Sequence, residues 1–198
     1  WGYKPQSNSI SSLRKGDWIA IPNSPDGISN YNFDLLDILK NCVFQEDTIK
    51  YTYDFSLDKI ILISHYSNGK YECKKSHHSI NRIWKIDERF AFFLGLWYGD
   101  GCIFAQSKHS SRLRGITFTF NKKEIDLIEF VSSFGKELLG LNPDVNYHNV
   151  DIDSTVQIVF NSTTLAHIFN SIFGRGCEGK KLFKQSLNWS IELVKKLI

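Results

Sequence analysis

Methionine is absent from these 198 residues, proline occurs only four times, and the four cysteines stand far apart at Cys42, Cys73, Cys102 and Cys177. With no CxxC pair, neither a zinc ribbon nor a dithiol redox motif is available. The wide spacing argues for free thiols in a reducing compartment over a disulfide framework. No apolar run approaches the roughly 20 residues that a membrane span needs, and no signal peptide is visible. The expectation is therefore an intracellular, cytoplasmic protein with no membrane partner. A chain that opens on Trp1 and lacks methionine is also expected to be a processed product or a piece of something longer. What remains is ordinary globular composition, 42% hydrophobic and 23% charged, enough for one or two domains with a sizeable core.

A net charge of +3 is a weak pointer to nucleic acid, but the charge is unevenly placed. From Cys102 to Lys123 the chain carries Lys108, Arg112, Arg114, Lys122 and Lys123 without one acidic residue. A second cluster holds Arg175, Lys180, Lys181 and Lys184, opposed only by Glu178. Such runs are usually solvated surface. The first falls on an expected hairpin, which favours a phosphate-facing role.

Order is clearest from Lys85 onward. Phe90, Phe93, Leu94 and Trp97 recur at i, i+3, i+4 and i+7, one apolar stripe on a helix over about 87–99. Gly95 and Gly99 sit one turn apart on that helix. Each costs about 1 kcal/mol relative to alanine, so a close-approaching backbone is the expected reason for the pair. Asp100 closes the helix at its C-terminus, where the macrodipole disfavours negative charge by roughly 0.3–1 kcal/mol. It is better placed there with a cation beside it. The bland alternative is a simple Asp-Gly turn leading into a strand.

Strands are expected at 102–106 and 115–120, where Ile116, Phe118 and Phe120 alternate with polar residues. A helix over 122–139 follows, then strands near 145–152 and 155–160, and a helix over 163–173 opened by Ser162 as N-cap. The order is αββαββα, an α+β fold class. Upstream, Phe33–Leu39 reads as a short helix and Tyr51–Ser64 as strand material. The polar stretch 67–82 carries Lys74, Lys75, His77, His78 and Arg82. A metal at the adjacent histidines is disfavoured because neighbours on a strand point to opposite faces. Trp189–Ile198 reads as the start of a helix.

The stretch Phe93–Gly101 (FLGLWYGDG) resembles the signature of LAGLIDADG (dodecapeptide) homing endonucleases, most closely the form carried by inteins. The resemblance implies two such helices packed glycine face to glycine face, here through Gly95 and Gly99. It implies a divalent metal, magnesium, held by Asp100 with Gly101 beside it. Tyr98 stands where the family has a variable second acidic residue. The family's half-domain has the order αββαββα, with an antiparallel sheet that saddles double-stranded DNA. Ser11–Pro22 (SSLRKGDWIAIP) resembles the end of an intein Hint segment, a match of a dozen residues. The implied organisation is 1–22 Hint segment, 23–85 linker or accessory DNA-contacting region, and 86–198 endonuclease half-domain.

Gly176–Phe183 resembles the stretch that leads into the second motif of intein endonucleases. Lys180 matches a lysine near the active centre, and Phe183 replaces the usual proline. Lys180 as a solvated surface residue fits equally well, and Lys181 substitutes if the alignment slips by one. The partner half comes either from a continuing chain or from a homodimer, and no second motif copy is present in the chain. DNA-contacting candidates on the first hairpin are Gln106, Lys108, Arg112, Arg114, Thr117 and Thr119. On the second they are Asn146, His148, Asp151 and Gln157. The implied activity is a magnesium-dependent double-strand break by phosphodiester hydrolysis. Rivals are a degenerate nucleic-acid-binding relative of maturase or regulator type, and an intein whose main activity is splicing. The termini that splicing needs are not in place. A plain structural domain is the remaining alternative.

Overall fold

The computed structural model describes residues 27, 29–42, 44–46, 49–66, 73–106, 112–149, 154–176 and 179–197. The expected Hint-type segment at 1–22 lies outside the described residues, as do two expected DNA contacts, Lys108 and Asp151. In chain order the elements are β1 (Tyr31–Asp34), α1 (Leu36–Leu39), β2 (Phe44–Glu46), β3 (Ile49–Phe55), β4 (Lys59–Tyr66), β5 (Cys73–Lys75), β6 (Ile80–Asn81), β7 (Ile83–Ile86) and α2 (Glu88–Asp100). There follow β8 (Gly101–Ala105), β9 (Leu113–Asn121), α3 (Ile125–Leu139), β10 (Asp144–Asn149), β11 (Ser154–Asn161), α4 (Thr163–Phe173), a 3₁₀ turn (Lys184–Asn188) and α5 (Ile191–Leu197). The chain is mixed α+β with antiparallel sheets.

Local chemistry sets the helix boundaries. Asp87 is extended, and its carboxylate accepts from the Phe90 amide at 3.0 Å, satisfying one orphan donor at the start of α2. Ser162 does the same for α4, accepting from the Leu165 amide at 3.2 Å. Helix α3 ends on Gly140 in the left-handed region, φ 71°, a conformation that glycine adopts without a Cβ penalty.

The second half is a four-stranded antiparallel sheet in the order β10-β11-β9-β8. Its inner face presents Ile103, Ile116, Phe118, Phe120, Val156, Ile158 and Phe160, all buried. Helices α2, α3 and α4 lie against that face. The packing is aromatic: Trp97 meets Phe118 at 5.9 Å and Phe169 at 4.7 Å between ring centroids, both edge-on. Edge-to-face pairs add about 0.5–1.5 kcal/mol beyond area burial.

The first half was expected to be a linker or accessory region with a helix over 33–39. Among the described residues of 31–86 there are seven strands and one short helix, with β3 and β4 lying in the stretch expected as strand material. Strand β1 begins two residues before Phe33 and pairs with β7, so the helix is confined to Leu36–Leu39. Strands β2-β3-β4-β5 form a second sheet, with β6 also pairing β4. Ile60 and Ile80 of this sheet, with Phe33, Leu35 and Trp84 around the β1–β7 pair, share one core with the second half through to Trp189 and Leu193, while Ile49, Tyr51 and Leu62 form a smaller cluster. Polar ties reinforce it: Asn81 donates to the carbonyls of Glu137 and Leu138, and the Thr164 hydroxyl accepts from the Leu62 amide. His167 of α4 packs its ring on Tyr51 of β3, 4.6 Å between centroids. Burial holds that imidazole neutral, with its pKa lowered to about 4.

Candidate functional site

The foot of α2 is assembled from four segments. Helix α5 packs on α2, and at Gly95 an added Cβ would lie 2.6 Å from the Leu197 carbonyl oxygen. That backbone contact explains a glycine inside a helix. One turn on, Gly99 has nothing within 4 Å of its Cβ position among the described residues. Asp100 follows as the exposed last residue of α2, and no hydrogen bond or ion pair to its carboxylate occurs among the described residues. Gly101 begins β8 with its amide donated to the Trp97 carbonyl. It is buried so tightly against Trp97 that a Cβ would fall 2.2 Å from the indole ring. Only glycine lets the chain turn from helix to strand under that side chain.

Lys180 is half-buried at this helix end. Its ammonium donates to the carbonyls of Trp97 at 2.7 Å and Tyr98 at 3.0 Å, and it lies 5.2 Å from the Trp97 ring centroid. A cation on the last carbonyls of a helix satisfies orphan acceptors and offsets the negative end of the dipole. Of the two alignments read from the sequence, Lys180 is the one at α2. Lys181 is exposed and contributes its carbonyl, which accepts from the Tyr98 hydroxyl at 3.0 Å. Tyr98 in turn accepts from the Phe183 amide at 2.8 Å. The phenol is thus a clamp that holds 181–183 onto α2, and burial raises its pKa well above the ordinary range.

Phe183 is fully buried among Phe33, Phe90, Phe173 and Trp189. Sequence reasoning saw Tyr98 only as a departure from a motif, and Phe183 only as a missing proline. Their common signal was aromatic size in a polar context, which does not name a partner.

The outer face of the four-stranded sheet is the second part. Directly opposed residues of an antiparallel pair share a face, so the register assembles rows. Asn146, Gln157 and Thr119 form one row, and His148, Thr155 and Asn121 the next. Asp144, Val159, Thr117 and Cys102 form a third. Asn146 and His148 are exposed, and Thr117, Thr119 and Gln157 half-exposed. The face is polar and neutral amides dominate its centre. His148 and Gln157 hydrogen-bond to each other, Nε2 to Oε1 at 3.3 Å, and Asn161 donates to Asp144.

Five sequence-named candidates therefore fall in these rows, Thr117, Thr119, Asn146, His148 and Gln157, but the Thr117 hydroxyl is buried and has no hydrogen-bond partner among the described residues. Three do not join these rows. Gln106 is exposed just past β8, its amide donated to the Arg112 carbonyl. Strand β9 carries one extra residue, with Phe104 opposite Gly115 and Ala105 opposite Leu113. Arg114 is that residue, and a bulge re-aims its side chain. Arg112 and Arg114 instead line a groove with β5. Arg82, one of the polar cations noted upstream, is bound to Asp34 through Nε at 2.8 Å and Nη2 at 2.5 Å. That hydrogen bond holds the Asp34 carboxyl below its usual range.

Among the described residues, no three histidine, cysteine or acidic side chains gather as a ready-made cation site. Asp100 is a single hard oxygen donor on an open helix end. No protein-family model matches the chain, and no curated protein matches it in sequence.

Proposed function

We propose that the chain is a DNA-cleaving half-unit of the LAGLIDADG homing-endonuclease kind, in the form carried by inteins. The observation that supports this reading is the foot of α2. Gly95 is closed by a second helix, Gly99 and Asp100 beyond it are open, and a lysine ammonium holds the same helix end. Asp100 and the Gly101 backbone would hold magnesium, a hard cation suited to oxygen ligands. When bound, that ion supplies charge stabilisation at the scissile phosphate and an activated water.

One carboxylate is half of such a site. The open turn at Gly99 is where a second acidic helix end would complete it, from a second copy or from further chain. Lys180 puts its ammonium on the Trp97 and Tyr98 carbonyls, and so fixes the helix end that carries Asp100. The polar rows would lie in the major groove of double-stranded DNA, where glutamine and asparagine read adenine and histidine or threonine serve other edges and phosphates.

The test is duplex selection from a randomised library, followed by cleavage of the selected duplex with magnesium or with EDTA, for wild type and Asp100→Asn. Magnesium-dependent cleavage by the wild type, lost in the variant with binding retained, is the expected result. Selective binding with no cleavage by either protein replaces the endonuclease with a nucleic-acid-binding relative. Absence of duplex binding overturns both.

A further inference from the structure

We infer that the groove between β5 and the start of β9 is a second phosphate-backbone track, separate from the polar rows of the sheet. The inference rests on the reading above only in taking duplex DNA as the ligand. The groove has a volume of about 210 Å³ and is lined by Lys74, Lys75, His77, Arg112, Arg114 and Thr163, among others. No aspartate or glutamate is among its described lining residues. Lys75 is committed to Asp54 at 2.8 Å. The cations nonetheless converge from two sheets that are far apart in sequence.

Like charges gathered around a concavity repel one another, and an anionic strand laid along them relieves that repulsion. Unbroken alternation would put Arg114 on the inner face with Ile116 and Phe118; the bulge instead leaves it exposed at the groove. Thr163, in the first turn of α4, adds the positive end of a helix dipole to the same side.

The groove is continuous with the polar face. A neighbouring depression of about 280 Å³ shares His77, Arg114 and Thr163 with it and reaches Phe104 and Asn161. Both of those residues stand opposite Gly115 in the register, one on each side, on the outer face of the sheet. A duplex lying on the rows would therefore meet the cationic groove at its margin. Such contacts fix position and supply affinity without reading sequence.

The experiment is a salt titration of binding to a short fluorescent duplex of arbitrary sequence. It compares wild type, Lys74→Gln/Arg114→Gln and Lys195→Gln/Lys196→Gln. The last pair removes the same charge from exposed positions on α5. The groove variant is expected to weaken binding about tenfold or more at low salt. Its slope of log affinity against log salt should be shallower by about 1.8, or roughly 0.9 per phosphate contact. The α5 variant is expected to keep the wild-type slope.

Should the double variant melt early, Lys74→Gln alone removes only an exposed side chain and should lower the slope by about 0.9. An unchanged slope in the groove variant, or an equal drop in the α5 variant, overturns the inference. Because arbitrary duplex is the probe, failure of cleavage or of sequence preference does not affect this result. No duplex binding by the wild type would overturn both proposals.

Discussion

Gly95 and Gly99 are the same residue type on the same helix, one turn apart, yet their surroundings differ completely. At Gly95 the backbone of α5 occupies the space where a Cβ would stand, whereas at Gly99 that space is empty among the described residues. The first glycine is explained by packing inside the chain. The second costs helix propensity, about 1 kcal/mol, and receives nothing for it from the described residues. A glycine that the described residues do not need is where the proposed function puts a partner surface. Asp100, exposed next to it, fits that view.

Substitutions can break this comparison. The largest effect is expected from Gly95→Leu, which drives a side chain into the Leu197 carbonyl. Overpacking against backbone should destabilise by about 2–3 kcal/mol. For a chain of this size the thermal midpoint should then fall by about 4–12 °C. An unchanged midpoint would mean that α5 does not rest on α2 in solution.

A smaller loss, about 1–2 kcal/mol, is expected for Lys180→Met, which keeps the stem but removes the ammonium from two helix carbonyls. A chemical-denaturation midpoint equal to wild type would remove Lys180 from the helix end and return it to the solvated surface.

The smallest effect sharpens the comparison most. Gly99→Ala should raise stability by up to about 1 kcal/mol, since the added methyl meets nothing and glycine is the poorer helix former. If the open turn is a partner surface, the same variant should lose cleavage or self-association while melting later. A variant that melts earlier would show that Gly99 is already packed.

Much of the second half was legible because its periods are strong. The alternation of Ile116, Phe118 and Phe120, the stripe through Phe90, Phe93, Leu94 and Trp97, and the Ser162 cap are local signals. Each is set by which face of one element must leave water. The αββαββα order follows from them, and all of its elements are present. The first half was less legible because its strands are short and its partners remote. Tyr31 pairs with Ile86 and Asp34 with Ile83, across most of the first half, and β2 is only three residues long.

The candidate site divides the same way. The acidic helix end at Asp100 could be read from the chain alone; that the turn at Gly99 beside it is open could not. The polar character of Thr119, Asn146 and Gln157 was also readable. That these three align in one row depends on a register spanning three strands, which residue order does not state. Sequence likewise offered Arg112 and Arg114 as DNA-contacting candidates on the same hairpin as Thr117 and Thr119. One unpaired residue in β9 keeps Arg114 off the inner face, and both arginines line the groove beside β5 and not the polar rows.

By itself the sequence determined the α+β class, the elements of the second half, and the chemistry available at the end of α2. These are short-range consequences of hydrophobic period and capping. Only the tertiary structure decided that α5 covers Gly95 and leaves Gly99 open, that Tyr98 clamps 181–183, and that Lys180 caps the helix before Asp100. Those contacts join residues separated by more than eighty positions. Their energies depend on geometry that forms only when the whole core closes.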